Sequence, residues 1–177
     1  MPQRSRPSAS RTDKLLEDWG RERPGAHAEV QGVRTRLLQL GTYLSRDNER
    51  IARALGITGP ELRVIFALRR SGEPYRMRPT DLLEALLVPS SSMARQLDGL
   101  ERVRFVKRRS DPEDGRVKMV ELTPGGVAAA DAALSQALGE SEGTQALLAL
   151  GAKDRQDLDR LLQKLLAQFR AEAPTPP

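Results

Sequence analysis

Apolar residues recur at Val30, Val33, Leu37, Leu40, Leu44 and Ile51, with charged residues between them. This near-heptad spacing predicts one long amphipathic helix. Upstream, TDKLLEDWG predicts a short helix opened by Thr12, with Leu15, Leu16 and Trp19 on one side. Pro24 and Gly25 separate it from the long helix. Downstream, TGPEL sets Thr58 and Glu61 at capping-box spacing around Pro60. The helix begun there buries Leu62, Ile65 and Phe66 and ends near Ser71 and Gly72. RPTDLLEALLV predicts a helix opened by Pro79 that buries Leu82, Leu83 and Leu86. Pro89 breaks it, and Ser90 is placed to cap the next helix.

That next segment, SSSMARQLDGLERV, shows two stripes. Met93, Leu97 and Leu100 fall on one face, which must meet the core. Ser92, Arg95, Gln96 and Gly99 fall on another, which is small, polar and free of acids and so suits an approach to base edges. FVKRR and VKMVEL then read as two antiparallel strands joined by a tight turn. Thr123 and Pro124 start a helix expected to bury Val127, Leu134 and Leu138, and GESEGT breaks it. In DLDRLLQKLLAQF, the residues Leu158, Leu161, Leu162, Leu165 and Phe169 make an apolar stripe wider than a small domain needs. A dimer interface is its natural use.

The order helix, helix, connector, polar-faced helix, basic hairpin defines a winged helix-turn-helix, mainly α with a small β-hairpin wing and flanked by dimerisation helices. Residues 1–11 read as a disordered basic tail and 12–57 as the extra and dimerisation helices. Residues 58–122 read as the DNA-binding lobe, 123–171 as C-terminal dimerisation helices and 172–177 as a frayed end.

Charge sharpens this picture. Among 177 residues, 29 Lys and Arg oppose 24 Asp and Glu, a net +5. Residues 63–118 contain 13 Lys and Arg against 8 Asp and Glu, so 13 − 8 = +5 and that segment alone equals the excess of the whole chain. A basic lobe favours a polyanionic partner. Absence of cysteine excludes disulfides and thiolate metal sites. A single histidine, His27, argues against a zinc site; it reads as a loop residue. No nucleophile–base pair and no Gly-rich phosphate loop after a strand is evident, so an enzyme is not expected. Nor is a cofactor or a metal. No apolar run reaches membrane-span length and no signal-peptide core is visible, so the expected location is cytoplasmic.

The hairpin turn RRSDPEDGR concentrates the candidate chemistry. Arg116 is expected to reach a phosphate or the minor groove, with Asp111 and Asp114 bracing it. Further DNA contacts are expected from Arg78, Thr80, Ser90, Ser91, Ser92, Arg95, Gln96, Arg108 and Lys118. Trp19 offers a flat apolar wall on a helix too short to stand alone. With Arg23 and Arg63 it forms a candidate site for an aromatic or phenolic anion.

The stretch LLEALLVPSSSMARQLDGLERVRFVKRRSDPEDGRVKMVELTPGG resembles the MarR (multiple antibiotic resistance regulator) family, and DPEDGR matches the family's Asp-x-Arg wing element at Asp114 and Arg116. The resemblance implies a homodimer on a palindromic operator, usually released by a small ligand. DWGRERPG and LRRSGEPYRMRPTDL also resemble the PecS/urate-responsive branch, whose extra N-terminal helix carries a Trp. Where that branch has an early acid, a recognition-helix arginine and a serine before the proline, this chain has Arg63, Gln96 and Arg78. Those departures favour an effector other than urate. The function expected is a ligand-released repressor. The alternative is a winged-helix module that binds protein or RNA without operator specificity.

Overall fold

The structure, a computed structural model, describes residues 28–110 and 118–172, with isolated positions at 14, 17, 18, 21 and 22. The predicted short helix around Trp19 and the wing tip therefore lie largely outside the described residues. Among those residues the chain runs α1 (Ala28–Ala54), α2 (Gly59–Arg70), β1 (Arg76–Met77), α3 (Pro79–Leu86), α4 (Ser90–Arg102), β2 (Val106–Ser110), β3 (Lys118–Leu122), α5 (Pro124–Glu140), α6 (Glu142–Leu148) and α7 (Ala152–Glu172). It divides into two compact units, residues 1–46 and 47–177.

The described part of the first unit is chiefly the N-terminal portion of α1. Val30, Val33, Leu38, Leu40, Tyr43 and Leu44 are all exposed there. The second unit begins at Asp47. The reason is burial: Ile51, Ala52 and Ile57 belong to its core.

In that unit α2 is the central element, packing against α3, α4 and α5. Its capping box forms as the sequence predicts. Glu61 N–H donates to Thr58 Oγ1 at 3.4 Å, and Thr58 N–H donates to Glu61 Oε2 at 2.7 Å. Leu62, Ile65 and Leu68 of α2 are fully buried, together with Leu82, Met93, Leu100, Val106 and Val120 from the surrounding elements. Each such side chain contributes roughly 1.5–3 kcal/mol relative to exposure.

The sheet has three antiparallel strands in the order β1-β3-β2. The third, β1, is only two residues long and is defined by pairing Arg76 with Glu121 and Met77 with Val120. In the hairpin Val106 pairs with Leu122, Arg108 with Val120 and Ser110 with Lys118.

Two expectations need correction. On α5, Leu134 and Leu138 are exposed, while Gly126, Ala129, Ala130 and Ala133 are buried. Small side chains let α5 approach α2 closely, and the leucines are turned outward. The break at GESEGT also contains a helix, α6, capped by Ser141, whose hydroxyl accepts from Thr144 N–H.

The turn from α3 to α4 is carried by Leu87, which is left-handed at φ 52 and ψ 48 and is 84% exposed. A side chain in this conformation is strained, whereas glycine adopts it freely. Leu87→Gly is expected to leave stability unchanged or raise it by up to about 1 kcal/mol. A loss above about 1 kcal/mol in urea unfolding would contradict a strained Leu87.

Candidate nucleic-acid interface

Helix α4 begins at Ser90, with Pro89 as its N-cap and no side-chain capping bond. The cap expected at Ser90 is thus one residue earlier, because Pro89 supplies the extended backbone of the N-cap at φ −63 and ψ 151. As a result Ser90 and Ser91 stand exposed in the first turn, and neither hydroxyl bonds to another described residue. Free N–H groups at such a terminus favour an anion.

The inward face of α4 is as predicted, with Met93, Leu97 and Leu100 buried. Its outward face is shifted by one residue. Gly99 is buried, and Ser92 and Gln96 are half-buried, whereas Ser91, Arg95, Asp98 and Arg102 are exposed. The cause is close packing on α2: a Cβ at Gly99 would lie 1.8 Å from Glu61 Oε1. Gly99 is therefore a packing position rather than part of the reading face. The outward face also carries an acid, Asp98, so it is not acid-free as its sequence suggested.

Arg108 faces inward, toward the reader helix. The period of a strand puts it on the same side of the sheet as the buried Val106 and Val120, facing α4. Its Nη1 donates to Glu101 Oε2 at 2.7 Å and its Nη2 to Asp98 Oδ1 at 2.5 Å. Its backbone N–H reaches Glu101 Oε1 at 3.3 Å. Arg108, expected from sequence to contact DNA, bridges the wing to α4 in this structure.

Two other hairpin cations are engaged. Lys107 pairs with Glu121 at 2.7 Å, and Lys118 donates to Ser110 Oγ at 2.9 Å. Arg109, which is not among the contacts expected from sequence, is exposed on the outer side of β2 without an acid partner among the described residues. Strand alternation from Val106 is the signal that could have separated Arg108 from Arg109.

Arg78 occupies the N-cap of α3, exposed and without a capping bond. Thr80 follows in the first turn, its hydroxyl 3.3 Å from Asp81 Oδ1. Arg63 lies on the exposed side of α2 and donates from Nη2 to the Leu86 carbonyl at 2.8 Å, tying α2 to the end of α3. Trp19, Arg23, Asp111, Asp114 and Arg116 lie outside the described residues.

No group of three or more His, Asp or Glu among the described residues could hold a metal, and no described helix is long and apolar enough to cross a membrane.

A three-helix reader followed by a two-stranded basic wing, with the reader helix seated on the core by Met93, Leu97 and Leu100, is a winged helix-turn-helix. Residues 55–117 match the MarR family model. The HTH-type transcriptional regulator PecS of Dickeya dadantii is 26% identical over 114 residues, which make up 64% of this chain and 69% of PecS. A MarR mutant from E. coli, solved in complex with operator DNA, superposes with a TM-score of 0.67 at 25% identity and covers 80% of this chain and 98% of its own. AbsC from Streptomyces coelicolor, at 22% identity, shares the fold with a TM-score of 0.68, covering 85% of this chain and 99% of its own. Across its reader helices and wing the chain is thus similar to MarR-family transcriptional regulators, and it shares their winged-helix fold.

Proposed function

We propose that the protein is a dimeric, sequence-specific DNA-binding repressor, released from a palindromic operator by a small aromatic or phenolic anion. The observation that carries the DNA-binding part is the start of α4. Ser90, Ser91 and Arg95 are outward there, with no partner among the described residues. Hydroxyls and N–H groups at the helix start suit a phosphate, and an arginine one turn on suits a guanine edge. The E. coli relative solved with operator DNA supports the same reading.

Dimerisation rests on exposed apolar surface. Leu161, Leu165 and Phe169 are exposed on α7, as are Leu134 and Leu138 on α5. A monomer gains nothing from this much uncovered leucine, and a two-fold mate would bury it.

The effector reading rests on Trp19, Arg23 and Arg63. The Arg63 guanidinium already donates once, to Leu86, and the rest of its fork can hold an acid group.

Duplexes selected from random sequence test the DNA reading. Arg95→Ala should relax base preference by about 1–3 kcal/mol at one position while changing the salt slope little. Arg116→Ala should weaken all duplexes and lower the salt slope by about 1. Equal binding of selected and scrambled duplexes by the wild type would remove operator specificity and leave a non-specific module. For the effector, salicylate and phenolic acids should quench Trp19 as they release DNA, and urate should do so poorly. DNA release with no change in emission would exclude Trp19 from the site.

A further inference from the structure

Arg108 is in an unusual place for a wing cation. The reader helix and the wing are separate elements that must meet one duplex together. Between them lie only the residues Val103 to Phe105, with Arg104 left-handed at φ 60. The buried pair Val106 and Leu122 anchors the hairpin at its root. From Arg108 outward, the β2 positions Arg108, Arg109 and Ser110 are all exposed.

At that transition Arg108 reaches back to α4 with both ends of its fork, on Asp98 and Glu101. Those acids are three residues apart, so they stand as neighbours one turn apart on one face of α4. The backbone N–H of Arg108 to Glu101 makes a third point of attachment, at 3.3 Å. Two bonds from the planar fork and one from the backbone N–H, to two carboxylates on a helix, fix direction as well as distance.

We propose that Arg108, Asp98 and Glu101 form a clamp that sets the wing at a fixed angle to the reader helix, so that Arg108 is a positioning residue for DNA binding rather than a DNA contact. The proposal rests on the DNA-binding reading above and assigns a role to two acids within it. Asp98 lies on the outward face of α4, with 61% of its side chain exposed. An unpaired carboxylate there would repel phosphate. Within the clamp its charge is met by Arg108, and it serves the interface by holding the wing.

The two roles for Arg108 predict opposite signs. If Arg108 touched phosphate, Asp98 and Glu101 would compete for it, and Asp98→Asn with Glu101→Gln would raise affinity. A clamp predicts that the same pair of substitutions lowers affinity.

The experiment uses the full-length protein and the duplex it selects from random sequence. Arg108→Ala alone and the Asp98→Asn/Glu101→Gln pair should each weaken binding about tenfold with the salt slope unchanged. All three substitutions together should bind no worse than the weaker binder of the two, because each breaks the same clamp. Tighter binding by the acid pair, a salt slope lower by about 1 in Arg108→Ala, additive losses, or no loss would each overturn the proposal.

A second arm needs no DNA. The chain has no cysteine, so Ala94→Cys and Arg109→Cys provide two unique spin-label sites, on α4 and on the outer side of β2. Arg108→Ala should broaden the distance distribution between them. An unchanged distribution overturns the clamp. If the wild type selects no duplex, the functional reading fails and this arm alone decides the clamp.

Discussion

Asp47→Ala is expected to destabilise the fold by about 2–4 kcal/mol, because it removes a buried acceptor that three elements share. Asp47 is only 7% exposed. Its Oδ2 receives the Ser141 hydroxyl and the Gly143 N–H, each at 2.7 Å. Arg50 stands 3.6 Å from Oδ1 and donates to the Glu140 carbonyl at 3.1 Å. The C-terminal end of α1 is thereby pinned to the corner where α5 ends and α6 begins. Without the carboxylate, the buried Ser141 hydroxyl and the half-buried Gly143 N–H lose their acceptor.

The same carboxyl sets an acid limb. The Gly143 N–H, foremost, holds Asp47 below its ordinary range. Burial opposes this, and the Ser141 hydroxyl, the Glu142 N–H and Arg50 add to the lowering. A carboxyl depressed in the folded state contributes stability that is present above its unfolded pKa, about 3.9, and is lost as pH falls through the folded value. Urea unfolding at fixed protein concentration should therefore show wild type and Asp47→Ala converging below about pH 4. A constant gap down to about pH 2–3 would mean that Asp47 acts through packing alone.

Gly126→Ala carries the second large effect. A Cβ there would meet the Phe105 carbonyl oxygen at 1.9 Å and its carbon at 2.9 Å. That oxygen is backbone at the root of the wing, and it already accepts from Thr123 N–H at 3.0 Å, so it cannot swing aside. Either α5 lifts from the wing root or the wing shifts. The expected cost is at least about 1–3 kcal/mol, with a lowered melting temperature.

Gly99→Ala provides the contrast. Its clash is with Glu61 Oε1, the end of a side chain, and displacing it sacrifices the Thr58 capping box, worth about 1 kcal/mol. A Gly126→Ala protein that melts no lower than Gly99→Ala would mean that α5 has slack at its start.

Much of this architecture was legible because local chemistry repeated the global pattern. Thr58 with Glu61 and Thr123 with Pro124 announce helix starts, and both form as written. Met93, Leu97 and Leu100 allow only one inward face for α4. What escaped depends on contacts distant in sequence. β1 exists only through its pairing with β3. The inward face of α5 is made of alanines because α2 lies close, and no count of leucines reveals that. Gly99 sits among polar neighbours at helical spacing, yet its missing side chain is what admits Glu61.

The clamp at Arg108 was within reach, since alternation from Val106 already turns Arg108 inward and Arg109 outward. Asp47 left a trace as well: it is an acid set between Leu44 and Ile51 on the apolar stripe of α1, which a solvated face would not require. The wing tip, with Asp111, Asp114 and Arg116, lies outside the described residues and rests on sequence alone.

The central claim is that two reader helices related by a two-fold axis engage one operator. It is tested most directly by changing the distance between half-sites. Successive major grooves on one side of the duplex are about 10 bp apart. With the duplex the protein selects, inserting about 5 bp at its centre should abolish the preference over scrambled DNA, and inserting about 10 bp should restore part of it. Unchanged affinity after the half-turn insertion would contradict the account, because it would mean that the protein reads one site as a monomer or reads no sequence at all.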